Sequence, residues 1–168
     1  KKDELMVLTH IRDEEYVKEL CNRELTDDIR SYLINNPYIT NETRDYIAQF
    51  GYSPYEIKIF TPKIANECYT SAIETLEAGF CSKDPEFSAA FFDVKNQLKH
   101  MITTKALTEA MQVNLANILI EQKNKKSDGV LYELMVRTES PRVLSLVSKM
   151  KGKDKVVAYE NTHMPKNL

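Results

Sequence analysis

No tryptophan occurs in this chain, and only four glycines and three cysteines do. Glycine scarcity bears on chemistry first. No P-loop, G-x-G-x-x-G or G-x-S-x-G pattern is present, and Gly51, Gly79 and Gly152 each follow an apolar-periodic run, where a left-handed helix cap is expected. Cys21, Cys68 and Cys81 lack metal-ligand spacing and are odd in number, which reads as buried, reduced thiols in a cytoplasmic protein. His10, His100 and His163 have no second histidine or cysteine at ligand spacing. No apolar run approaches the roughly 18 residues that span a bilayer. The first fifteen residues hold no apolar h-region, so neither a membrane nor a secretory signal is expected. These absences point away from an enzyme and away from any cofactor or metal.

Charge is plentiful but unevenly spread. The net charge is −2, with −4 over residues 1–60, −2 over 61–120 and +4 over 121–168. An acidic head and a basic tail leave self-association open. Six prolines punctuate the chain. Ser53-Pro54, Thr61-Pro62, Asp84-Pro85 and Ser140-Pro141 each set a capping side chain before a proline at the first helical position. Glu56 stands three residues after Ser53, as a capping box requires.

Between these marks the apolar residues recur at helical spacing. Phe87, Phe91, Val94, Leu98 and Met101 form one stripe, and Ala65, Cys68, Ala72, Ile73 and Leu76 another. Leu107, Met111, Leu115, Ile118 and Leu119 form a third, Val130, Leu131, Leu134 and Met135 a fourth, and Val143, Leu144, Val147 and Met150 a fifth. Only Tyr55 to Thr61 alternates like a strand; with nothing to pair with, it reads as a short helix or an extended link. The spacing predicts an all-α fold of about ten short helices, with Phe91, Val94, Leu98, Leu115, Leu119, Leu134 and Val147 in the core.

One pattern repeats. Pro-x-Ile-x-Asn-Glu occurs at Pro37–Glu42 and again, 25 residues later, at Pro62–Glu67. The segment DDIRSYLINNPYITNETRDYIAQ, residues 27–49, resembles one unit of the leucine-rich repeat variant family. Asp28, Ile29, Arg30, Leu33, Asn36, Pro37, Thr40, Ile47 and Ala48 carry the match. Residues 155–165, KVVAYENTHMP, resemble the turn of another unit, with Thr162 in place of the proline. The middle, Thr70 to Gly129, departs from the pattern and looks more like HEAT-type helix pairs. The resemblance implies a right-handed helical-repeat, solenoid-like array that presents a surface to a partner and carries no catalytic residue. The competing reading is an irregular single-domain helical bundle. Leu168 falls where the second helix of a further unit would start, so the expectation is one all-α domain, 1–168, that is either a fragment of a longer repeat protein or followed by a disordered continuation.

Two stretches could bind. Six of the fifteen aromatic residues lie between Tyr38 and Phe60. Tyr46 and Phe50 fall on helical faces and read as core. Tyr38 and Tyr52 fall in turns, and with Asn41, Tyr55 and Asp45 they form the candidate partner-binding residues. Asp27, Asp28, Glu42 and Asp45 would rim them and favour a basic partner. The second stretch is Lys149, Lys151, Lys153 and Lys155, an anion or nucleic-acid contact in the alternative reading. Scarce arginine and missing aromatic interleaving place nucleic acid second. A non-enzymatic protein-binding scaffold of helical repeats is the first expectation.

Overall fold

The computed structural model of the protein describes residues 6–81, 85–122 and 128–148. Among them are eight α-helices, two 3-10 turns and no strand. The chain divides into two compact units, Lys1–Cys68 and Tyr69–Leu168.

The first unit opens with the 3-10 turn Leu8–His10, followed by α1 (Glu14–Cys21), α2 (Asp27–Ile34) and α3 (Asn41–Ala48). Each of these helices is eight residues long, too short to persist alone in water. Each is started by a side-chain cap: Asp13 accepts from the amide of Tyr16, Thr26 from Ile29 and Thr40 from Thr43. Burial of Val17, Cys21, Leu33, Ile34, Ile39, Ile47 and Ile64 supplies what propensity lacks. The strand-like stretch is a second 3-10 turn, Pro54–Glu56, and then an extended link that buries Ile57. Packing skips along the chain: α1 meets α3, while α2 meets α3 and both 3-10 turns.

The same skip recurs in hydrogen bonds. Tyr46 Oη donates to Asn22 Oδ1 at 3.2 Å, Asn35 Nδ2 to the Glu56 carbonyl at 2.8 Å, and Ser53 Oγ to Asp28 Oδ1 at 2.7 Å. These pairs lie 24, 21 and 25 residues apart.

Helix α4 (Pro62–Cys81) follows, capped by Thr61, whose Oγ1 accepts from the amide of Ile64 at 3.1 Å. The second unit contains α5 (Pro85–Thr103), α6 (Glu109–Gln122), α7 (Asp128–Arg137) and α8 (Pro141–Ser148). Here too alternate elements pack: α5 on α7 and α6 on α8, with α7 also touching α6 and α8. Phe91, Val94, Leu98, Leu115, Leu119, Leu134 and Val147 are all buried, as their stripes predict. Ser140 caps α8 by accepting from the amide of Val143 at 3.3 Å. Phe87 and Met150 lie outside the residues whose side chains are described.

Several local expectations are corrected. Gly79 does not end a helix; it lies inside α4, which continues to Cys81, and the next residue, Phe80, packs edge-on against Phe91 at 5.8 Å. Ser53 makes no cap bond, because its hydroxyl is drawn to Asp28. Phe50 is not core: α3 stops at Ala48 and leaves the ring 40% exposed, edge-on to Tyr46. The two Pro-x-Ile-x-Asn-Glu copies also differ in register. Pro62 is the first residue of α4, whereas Pro37 lies in the turn before α3 and Thr40 does the capping. Ile39 and Ile64 are nonetheless both buried. Gly152 and Asp84 lie outside the described residues.

Candidate binding surface

The turn between α2 and α3 is built around one buried amide. Asn-Asn-Pro ends α2, because a residue before proline leaves the helical region. Asn36 is completely buried, and its side chain is satisfied at both ends. Nδ2 donates to the carbonyl of Ile11 at 2.5 Å, and Oδ1 accepts from the amide of Tyr38 at 2.9 Å. Asn36 thus ties the segment before α1 to the turn before α3.

Arg44 holds the same turn from below. It is 6% exposed, and its Nε and Nη2 donate to the carbonyls of Ile34 at 3.0 Å and Asn36 at 2.7 Å. Nη1 donates to Asn41 Oδ1 at 2.8 Å. A guanidinium at the C-terminal carbonyls of α2 answers the negative end of that helix. Burial lowers its pKa, and the nearby Glu14 carboxylate opposes that shift. Glu14 sits at the N-terminus of α3, accepting from the amide of Thr40 and, at 3.1 Å, from Thr43 Oγ1. Those contacts, the Thr40 amide first, hold its carboxyl below the usual range.

On this base stands Tyr38, 44% exposed. The Arg12 guanidinium lies 4.0 Å from the centre of its ring, and the His10 ring is 6.2 Å away, tilted by 45°. A cation over an exposed aromatic face contributes about 0.5–1 kcal/mol.

The five candidate residues therefore fall into two groups. Tyr38 and Asn41 share the Asn36–Arg44 hub. Asp45 and Tyr52 face α4 instead: Asp45 accepts from Thr61 Oγ1 at 2.6 Å, and Tyr52 Oη donates to Glu67 Oε1 at 2.8 Å. Tyr52 is half-buried rather than exposed. Burial first, then Cys68 and Glu67, push its phenol well above the ordinary tyrosine range. Tyr55 is half-buried in the second 3-10 turn. The acidic rim is engaged locally, since Asp27 pairs with Arg30 and Asp28 with Ser53. Lys149, Lys151, Lys153 and Lys155 lie outside the described residues.

Arg12, Arg44 and Glu14 were not among the sequence candidates. The spacing held a signal for two of them: Arg12 precedes Tyr38 by 26 residues and Glu14 precedes Thr40 by the same interval, close to the 25-residue echo.

Elsewhere, a cavity of about 160 Å³ lies among Ile102, Lys105, Leu107, Gln112, Arg137 and Thr138. It is smaller than the roughly 300 Å³ at which ligand pockets begin. Two of its polar groups bond each other, Thr138 Oγ1 donating to Gln112 Oε1 at 2.6 Å, and Arg137 Nε donates to Glu133 outside the lining at 2.9 Å. Burial pushes the Cys21 and Cys68 thiols up to about 11, so neither is a thiolate near neutral pH. Among the described residues no three His, Cys, Asp or Glu side chains gather where a metal ion could sit, and no helix is long and apolar enough to cross a membrane.

Compared with protein-family models, curated proteins and solved structures, the chain finds no match.

Proposed function

We propose that this all-α protein is a non-enzymatic, cytoplasmic protein-binding scaffold whose helices stack as solenoid-like repeat units. What carries the reading is the recurrence of hydrogen bonds between residues 21 to 29 positions apart along the first unit. Contacts that recur at separations near the 25-residue echo are what stacked units of about that length make with their neighbours. The skipped packing of α5 on α7 and α6 on α8 supports the same reading in the second unit. Turns of successive units align along an edge in such an array, and Tyr38 is the exposed aromatic residue of one such turn. A ring that presents area with few rotatable bonds suits recognition.

The test is affinity capture from native lysate with the immobilised protein, followed by mass spectrometry. The expected result is a protein that the wild type retains and Tyr38→Ala loses, with the melting temperature of the variant within a few degrees of the parent. Equal capture by both proteins sinks the assignment of this edge. A nuclease-sensitive catch would move the function to nucleic acid.

A further inference from the structure

The cation on Tyr38 bears on what that edge can recognise. Arg12 stacks its guanidinium on the ring at 4.0 Å, and no ion pair or hydrogen bond occupies its donors among the described contacts. A guanidinium is a planar fork of five N–H donors. Arg12 is exposed, so that fork is open to solvent, and a guanidinium so placed can meet a carboxylate with two parallel bonds. The His10 ring lies 6.2 Å from the Tyr38 ring in the same cluster.

The couple is held before any ligand arrives. Ile11, whose carbonyl accepts from Asn36, immediately precedes Arg12, and the Tyr38 amide donates to the same Asn36 side chain. One fully buried residue therefore fixes the backbone under both halves of the couple. Backbone order already present in the free protein is not charged against binding.

The acidic neighbours do not cancel this cation. Asp13 accepts from the amide of Tyr16 at the start of α1, and Glu14 from Thr40 and Thr43 at the start of α3. Both carboxylates face helix N-termini, where partial positive charge offsets them. Glu15 lies 4.0 Å from Lys18.

We infer that Arg12, stacked on Tyr38 and pinned through Asn36, is a recognition site for a side-chain carboxylate on a partner protein. This rests on the scaffold reading and gives its partner a chemistry, an acidic patch rather than the basic one that the charge of the region alone suggests.

The test uses the full chain and three probes: a terminally blocked Glu-rich peptide, a Lys-rich peptide of equal length and inorganic phosphate. Arg12 Nε–H and Tyr38 ring resonances report where binding occurs, and fluorescence anisotropy gives affinity. The expected result is that the Glu-rich peptide shifts both sets of resonances and that Arg12→Gln weakens it at least about tenfold. Arg12→Lys, which keeps the charge without the fork, should lose part of that affinity. Arg12 is exposed, so both variants should keep the parent circular dichroism. Unchanged affinity in Arg12→Gln, preference for the Lys-rich peptide, tighter binding of phosphate than of the peptide, or no shift at all each overturn the inference. Lysate capture that survives Arg12→Gln would leave the scaffold reading standing and remove this one alone.

Discussion

Tyr38 and Tyr52 look alike in the sequence, each a tyrosine in a turn beside acids. Their surroundings separate them. Tyr38 presents its ring to solvent with a cation on one face, while Tyr52 sends its hydroxyl to Glu67 and is half-buried. Tyr38→Ala should change unfolding free energy by no more than about 1 kcal/mol, the worth of the lost cation contact. Tyr52→Ala should cost about 1–3 kcal/mol, since it removes a partly buried ring and a hydrogen bond together. Urea unfolding of the two single variants measures both, and equal losses would place Tyr38 in the core. Glu14 gives a prediction in pH. Its folded pKa lies below the ordinary 4.5, so as pH falls the unfolded chain takes up a proton first. Its stabilisation is complete above 4.5 and fades as pH drops through the folded value. Glu14→Gln should flatten that part of the stability profile; a slope identical to the parent would show that the carboxylate contributes nothing.

Helix ends decide the elements here, and two of them show opposite economies of backbone. Helix α3 is closed by Gly51 at φ +104°, and its carbonyl accepts from Arg30 Nε at 2.7 Å. A Cβ there would stand 2.9 Å from Asp27 Oδ1, beside the Asp27–Arg30 pair. Gly51→Ala should cost about 1–3 kcal/mol, because an L side chain rarely adopts that φ. Helix α5 ends in the same left-handed manner without a glycine. Lys105 has φ 59°, its amide donates to Ile102, and the Ala106 amide reaches back to Met101 at 2.9 Å. That pair of bonds is a Schellman closure. Lys105→Gly should therefore stabilise the protein by about 1 kcal/mol, the strain of a left-handed non-glycine residue. A thermal shift downward instead would mean that the lysine side chain supports the helix end.

At the scale of the molecule, three quarters helix and no strand among the described residues set the spectroscopic expectation. Far-UV circular dichroism should be helical throughout, and a strand content above about a fifth, the base rate of mixed domains, would contradict the fold. Leu98, fully buried at the centre of the α5 stripe, should cost about 2–5 kcal/mol as Leu98→Ala. A loss of a few tenths would put that face in water. Short helices that cannot stand alone make each such contact carry a large share of stability.

Periodicity by itself determined the helices and their buried faces, since a 3.6-residue stripe can be satisfied by one geometry. Val94, Leu98, Leu115, Leu134 and Val147 were legible for that reason. Cap-before-proline signals located the starts of α4 and α8, where Thr61 and Ser140 accept the helix amides. The end of α5 was not legible, because a lysine in a left-handed turn carries no sequence mark, and Gly79 misled because packing across to Phe91 outweighs a glycine's preference for a helix end. The candidate surface was half legible. Tyr38 was visible as a turn aromatic, but Arg12 and Glu14 come from a segment 26 residues earlier. Only the stacking of one segment on another brings a guanidinium onto that ring, and only burial of Asn36 and Arg44 holds the turn still. Local propensity acts over a few residues; which charge meets which ring is decided by contacts across more than twenty.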